Sequence, residues 1–185
     1  MAEPQPDGVI PPPPHRRADF RRRAQELLLL EVAIADPVLG CHNRAYLVHR
    51  ARDEIARRQR YGQRLSLLLV EADRPIRGPE EGALKGIASI ARLTVRPTDI
   101  VARWHAGEFV LLLPCTALAG ATRLARRLCA AVAAAQLPAA GGDLTASIGV
   151  ATSLGRRELL ELLVQRARSG LAEARAAGGG RVGIG

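Results

Sequence analysis

The sequence predicts one α/β domain, a central mixed sheet that carries a β-hairpin and is flanked by helices. Three observations predict it. Leu65–Val70 is an apolar run broken only by Ser66, the mark of a strand buried on both faces. Arg96–Leu113, reading RPTDIVARWHAGEFVLLL, holds two β-type runs, Asp99–Trp104 and Glu108–Leu113, around a short turn at His105-Ala106-Gly107. The segments around these strands repeat their apolar residues at helical spacing.

The elements follow in chain order. Residues 1–15 form a Pro-rich tail expected to be disordered, since the run Pro11–Pro14 favours extended polyproline conformation and offers no core. A docking role for Pro11–Pro14 is the less favoured reading. Residues 16–35 read as an N-terminal helix, with Phe20, Ala24, Leu27, Leu28, Val32 and Ala35 on one face and Arg16, Arg17, Arg21, Arg22 and Arg23 crowding its first half. Such a helix suits a dimerising stalk, a basic surface or a cap on the domain. Pro37 ends it. The domain proper spans 36–185. Asn43 suits an N-cap for a helix reaching about Arg60, with Tyr46, Leu47, Arg50, Ile55 and Ala56 setting its faces and Gly62 at its exit. After the strand Leu65–Val70 comes a breaker segment, Arg74–Pro79, and a helix from about Glu80 to Val95. Beyond the hairpin, Leu118–Ala135 is a helix with Leu124, Leu128 and Val132 inside, and Pro138–Asp143 is a turn. Leu144–Ala151 is a strand, Arg156–Ala177 a helix with Leu159, Leu163, Ala167 and Leu171 in register, and Arg181–Ile184 a short edge strand. Gly178-Gly179-Gly180 stops that last helix.

Composition bounds the function. The chain has 185 residues, 48% of them hydrophobic but only 3% aromatic, so its core is aliphatic. The net charge of +9 comes from arginine, with Lys85 the only lysine. Such a balance admits nucleic acid, anionic lipid or a phosphate ligand, and equally a set of solvated helix faces. No basic–aromatic interleaving supports nucleic acid, which ranks last. No apolar run is long enough to span a bilayer: Leu27–Ala35 is short and broken by Glu31. There is no signal-peptide pattern at the N-terminus. Cys41, Cys115 and Cys129 are scattered, which fits reduced thiols and a cytoplasmic chain, and Cys129 reads as a helix core residue. His42, His49 and His105 lack zinc spacing. Trp104 reads as packing beside the hairpin.

Four stretches, in order and at consistent spacing, carry a family resemblance over roughly 30–184. DPVLGCHNR (36–44), LSLLLVEAD (65–73), RPTDIVARWHAGEFVLLLP (96–114) and LTASIGVA (144–151) resemble the GGDEF domain of diguanylate cyclases. The resemblance implies a nucleotide-cyclase or palm-like fold. In the family it goes with joining two GTP into cyclic di-GMP, using divalent metal in a dimer. Residue by residue, this chain departs from what that chemistry needs. Glu71 and Asp73 stand at the strand-end carboxylate pair, with Glu71 where the family has Asp. His105 and Ala106 replace two signature glycines that let backbone approach the nucleotide. Gly107 stands at the second metal ligand, while Glu108 and Phe109 keep the last two signature letters. The base-binding loop is reduced to Arg77-Gly78-Pro79, the late Lys becomes Arg175, and the following G-R-N becomes Gly178-Gly179-Gly180. The expectation is an inactive cyclase with no catalytic residue, no bound metal and no cofactor. Gly141-Gly142-Asp143 spells the first letters of the signature but lacks Glu-Phe and reads as a turn.

The family's product-binding motif survives. Arg96-x-x-Asp99 stands five residues before the degenerate signature, at the family's spacing, and Arg127 matches the third ligand of that inhibitory site. The chemistry suits a guanine, whose O6 and N7 accept from an Arg fork and whose N1–H and N2–H₂ donate to a carboxylate. Arg123 and Arg126 would help offset the phosphates. The expected function is a cyclic di-GMP receptor, taking the ligand as a stacked pair and acting through an unidentified protein partner. A homodimer is compatible with it. The alternative is a ligand-independent dimerisation or scaffold module.

Overall fold

The structure is a computed structural model that describes residues 34–74, 81–139, 142–154 and 158–185. The Pro-rich tail, nearly all of the N-terminal helix and the breaker segment 75–80 expected from sequence lie outside the described residues. The described elements are α1 (Arg44–Tyr61), β1 (Leu65–Ala72), α2 (Glu81–Thr94), β2 (Ile100–His105), β3 (Glu108–Pro114), α3 (Leu118–Ala134), β4 (Pro138–Ala139), β5 (Gly142–Asp143), β6 (Ala146–Thr152), α4 (Leu160–Ala176) and β7 (Val182–Ile184).

Five strands make the sheet, in the order β2-β3-β1-β6-β7. Pairing is antiparallel except between β6 and β7, so the sheet is mixed. Alternation along β1 sends Leu68 and Val70 into one core with Ile87, Ala91, Ala125 and Leu128 of α2 and α3. Leu67 and Leu69 enter a second core with Leu47, Ala51, Leu163 and Leu171 of α1 and α4. Both faces of β1 are therefore covered, which is why its sequence is apolar apart from Ser66 and Glu71 near its two ends. Helix α4 lies hard against the sheet: a Cβ added at Gly149 would fall 1.7 Å from the Ala167 carbonyl oxygen. Among the described residues, no helix is long and apolar enough to cross a membrane.

The caps read from sequence are present. The Asn43 side chain accepts from the Tyr46 N–H at 2.9 Å, and Gly62 closes α1 in the left-handed region at φ 68°. Other expectations are corrected. The buried face of α1 is Leu47, Ala51, Glu54 and Arg58, while Ala56 is exposed. Strand β1 runs two residues further, through Glu71 and Ala72. The expected turn 138–143 has paired ends, Pro138 opposite Asp143, and the Leu144 N–H goes to the Leu137 carbonyl, so β6 starts at Ala146. Helix α4 starts at Leu160, and Leu159 is 58% exposed rather than packed. Glu158 explains the late start. Its carboxylate accepts from the Leu154 N–H at 2.7 Å and from Arg166 at 2.9 Å, holding it to the preceding loop.

In the hairpin, Arg103 faces Phe109 and His105 faces Glu108, so Trp104 is the extra residue of a β-bulge. The turn proper is Ala106-Gly107. Trp104 packs on the second core, as expected, and Arg44 lies over its ring at 4.1 Å. Cys129 is buried in the first core, as read from sequence.

Candidate functional site

Two separate places gather the residues singled out by sequence. The first is the carboxyl end of β1. Antiparallel pairing sets Glu71 directly opposite Glu108, which would repel if unpaired. Each is matched by an arginine from α4. Arg175 Nη1 meets Glu71 Oε1 at 2.5 Å. Arg168 forks onto both oxygens of Glu108, at 2.5 and 2.9 Å. These carboxylates hold both guanidiniums above their ordinary value, the side-chain hydrogen bond being the main cause in each. Arg168 and Arg175 are seven residues apart, two turns, and so share one helix face. Two acids and two bases thus neutralise one another at the place where strand-end carboxylates would otherwise attract a cation.

Asp73 has a different set of partners. Its carboxylate accepts from Thr145 Oγ1 at 2.6 Å, from Ser147 Oγ and from the Gly180 N–H at 2.8 Å. Gly178, Gly179 and Gly180 all take positive φ to bring that N–H in, and a Cβ on Gly179 would come within 3.0 Å of the Asp73 carboxyl carbon. Asp73 therefore ties the end of β1 to β6 and to the turn leading into β7. At the hairpin tip, His105 and Ala106 are exposed and Gly107 is half-buried. Open space surrounds Gly107 and its φ is not positive, so packing does not require glycine there.

The second place is a cavity of about 520 Å³ between the end of α2, the start of the hairpin and α3. Arg96, Asp99, Arg123, Arg126 and Arg127, the residues named from sequence, all line it. The turn Arg96-Pro97-Thr98-Asp99 is closed by two bonds. The Asp99 N–H donates to the Arg96 carbonyl at 3.0 Å, and Asp99 Oδ2 accepts from the Arg96 N–H at 2.9 Å. Burial pushes the Asp99 carboxyl above its ordinary value, partly offset by Arg96. Arg127 Nη2 donates to the Thr94 carbonyl, which fixes that guanidinium against the end of α2. Arg96, Arg123, Arg126 and Arg127 are exposed, so four guanidiniums face solvent around one half-buried carboxylate. Such a wall can take an anion with a hydrogen-bonding edge. Arg168 at the first place, and Thr94, Thr116 and Gly120 at the second, are the residues sequence reading missed. The seven-residue interval between Arg168 and Arg175 was the only signal available for any of them.

The comparisons with known proteins agree with this fold. The family described as diguanylate cyclase, GGDEF domain, matches residues 33–181. The chain is 32% identical over 160 residues to the response regulator PleD of Caulobacter vibrioides, covering 80% of this chain and 35% of that protein. It is 36% identical over 159 residues to the diguanylate cyclase DgcP of Pseudomonas aeruginosa, covering 81% of this chain and 24% of that protein. The chain thus spans about a third or less of the length of these curated relatives. Among solved structures, the diguanylate cyclase SiaD of Pseudomonas aeruginosa, in complex with its activator SiaC, superposes with a TM-score of 0.78 at 29% identity, covering 92% of this chain and 69% of that one. The coiled coil and GGDEF domain of DgcB from Caulobacter crescentus, in complex with c-di-GMP, gives a TM-score of 0.80, covering 92% of this chain and 96% of that one; at 17% identity the likeness is one of fold. On the family match and the sheet it predicts, the chain belongs to the GGDEF-domain family.

Proposed function

We propose that this chain is a GGDEF domain without cyclase activity that serves as a receptor for cyclic di-GMP and passes the signal on by protein–protein contact. The observation that carries the reading is the convergence of Arg96, Asp99 and Arg127 on one cavity, with Arg123 and Arg126 beside them. An Arg fork suits the O6 and N7 of guanine, and the Asp99 carboxylate suits its N1–H and N2–H₂. Asp99 Oδ2 is engaged by the Arg96 backbone, so Oδ1 is the oxygen a base would meet. The remaining arginines balance two phosphates. A stacked pair of ligands would double that charge and makes use of all four guanidiniums.

Loss of catalysis is supported from the other end of β1. With Gly107 at the third signature letter, a metal would have only the strand-end acids, and Glu71 and Glu108 already hold Arg175 and Arg168. Two guanidiniums supply the positive charge that a hard cation brings in an active cyclase. His105 and Ala106 add side chains where the nucleotide's backbone approach needs glycine. A protein partner fits a family in which SiaD is found in complex with its activator SiaC. The test of inactivity is incubation with GTP and Mg²⁺ or Mn²⁺. No cyclic di-GMP should form, and measurable turnover would contradict the reading.

A further inference from the structure

Three residues that line the Arg96 cavity, Gly120, Arg123 and Arg127, lie on α3 at i, i+3 and i+7 and so share one face of that helix. Seven residues of helix span about 10 Å. Arg127 marks one end of the face, where its guanidinium meets the Thr94 carbonyl, two residues before Arg96. Gly120 marks the other end. The backbone does not require glycine there: its φ is not positive, and within a helix glycine is less favourable than alanine.

The surroundings of Gly120 give it a use. A Cβ added here would meet two atoms beyond its own turn of backbone, and both belong to the cavity wall: Thr116 Cγ2 at 3.3 Å and Arg123 Nη2 at 4.0 Å. Thr116 is held in place, since its hydroxyl donates to the Pro114 carbonyl at 3.0 Å and its own carbonyl accepts from Ser66 Oγ at 2.6 Å. A longer side chain at 120 would extend between these two walls and fill this end of the cavity. Charge points the same way. No residue of α3 is acidic, and Asp99, the one carboxylate among the described residues lining the cavity, has Oδ2 engaged by the Arg96 N–H. An acid at 120 would stand three residues before Arg123, the spacing of a helical ion pair, and would occupy its guanidinium. Glycine leaves both the space and the charge open.

We propose that Gly120 sets the size of ligand this cavity accepts, and so selects a cyclic dinucleotide over a single nucleotide. The inference rests on the reading of the cavity as a cyclic di-GMP site. Arg96, Asp99 and Arg127 hold one guanine, and the bare backbone at Gly120, with Arg123 beside it, receives the second half of the ligand. A mononucleotide engages the first end alone and makes no use of Gly120.

Titrating the full ¹⁵N-labelled chain with cyclic di-GMP and with GMP tests it. The wild type should bind cyclic di-GMP more tightly than GMP. Gly120→Gln should weaken cyclic di-GMP roughly tenfold while GMP stays within about threefold of wild type, and Gly120→Glu should weaken cyclic di-GMP further by holding Arg123. Thr116→Ser removes the methyl that a new Cβ would press. Gly120→Gln in that background, compared with Thr116→Ser alone, should therefore show the same selective loss without that contact. Equal affinity of the wild type for the two nucleotides, unchanged cyclic di-GMP affinity in Gly120→Gln, or an equal loss for both nucleotides would overturn the role of Gly120 and leave the cavity a cyclic di-GMP site. A wild type that binds neither nucleotide would overturn both readings.

Discussion

Arg168 grips both carboxylate oxygens of Glu108 across sixty residues of chain, and the same helix sends Arg175 to Glu71 on the neighbouring strand. The Glu108 side chain is 12% exposed and that of Arg168 46%, so the pair sits at the border between a buried and a surface ion pair. Its consequence is electrostatic. Two acids face each other across β1 and β3, and α4 answers each with a guanidinium.

Removing that answer should change what the site attracts. Arg168→Ala leaves Glu108 without its fork, and loses about 1 kcal/mol of stability in urea unfolding. In the Arg168→Ala/Arg175→Ala double variant, Glu71 and Glu108 stand opposite each other uncompensated. Mn²⁺ should then broaden the amide signals of residues 71 and 108, while leaving the wild-type spectrum unchanged. Equal broadening in both proteins would remove the idea that the arginines take a cation's place.

Asp73 should behave as a structural residue although it stands at a strand-end carboxylate position. Asp73→Ala strips the partner from Ser147, which is fully buried, and releases Thr145 and the Gly180 N–H as well. The expected loss is about 2–3 kcal/mol, with fast hydrogen exchange at Gly180. Binding of cyclic di-GMP, on the other cavity, should keep its wild-type affinity at temperatures where the variant stays folded.

Asp99 separates stability from binding. Burial raises its folded-state value above 3.8, so its contribution to stability is present below 3.8 and is lost as pH rises through the raised value. Asp99→Asn keeps an acceptor for the Arg96 N–H and removes that loss, so at neutral pH the variant should be at least as stable as wild type by denaturant midpoint. Ligand binding runs the other way. Guanine donors need the ionised carboxylate, so affinity for cyclic di-GMP should fall as pH drops through the same range. Asp99→Asn should bind weakly at every pH. A variant that loses stability and binding together would make Asp99 a structural residue.

The parts legible in sequence were those decided locally. Asn43 and Gly62 fix the ends of α1 by bonds within a few residues, and the apolar run beginning at Leu65 announces a strand covered on both faces. The hairpin and the Arg96–Asp99 turn are likewise short-range. The start of α4 was misread because Arg156, Arg157 and Glu158 are good helix formers, whereas Glu158 is held by Leu154 and Arg166. Arg168 looked like one more surface arginine in an Arg-rich chain. Its partner is fixed by how α4 lies over β6 and β1, next to β3, and the glycines that let α4 approach the sheet, Gly149 among them, reveal nothing of that in sequence. The Arg96 cavity was legible as a motif with a matching Arg127, but Thr94, Thr116 and Gly120 join it only through the packing of α2 and α3.

Arg96, Asp99 and Arg127, which line one cavity, are proposed to bind cyclic di-GMP. Calorimetric titration of the full chain with cyclic di-GMP, paired with a mass measurement of the complex, tests it most directly. The wild type should give saturable heat with more than one ligand per chain at saturation, and Arg96→Ala should lower affinity by roughly a hundredfold, as loss of a charge-assisted fork implies. No heat with the wild type, or the same affinity in Arg96→Ala, would contradict it and leave the domain a ligand-independent scaffold.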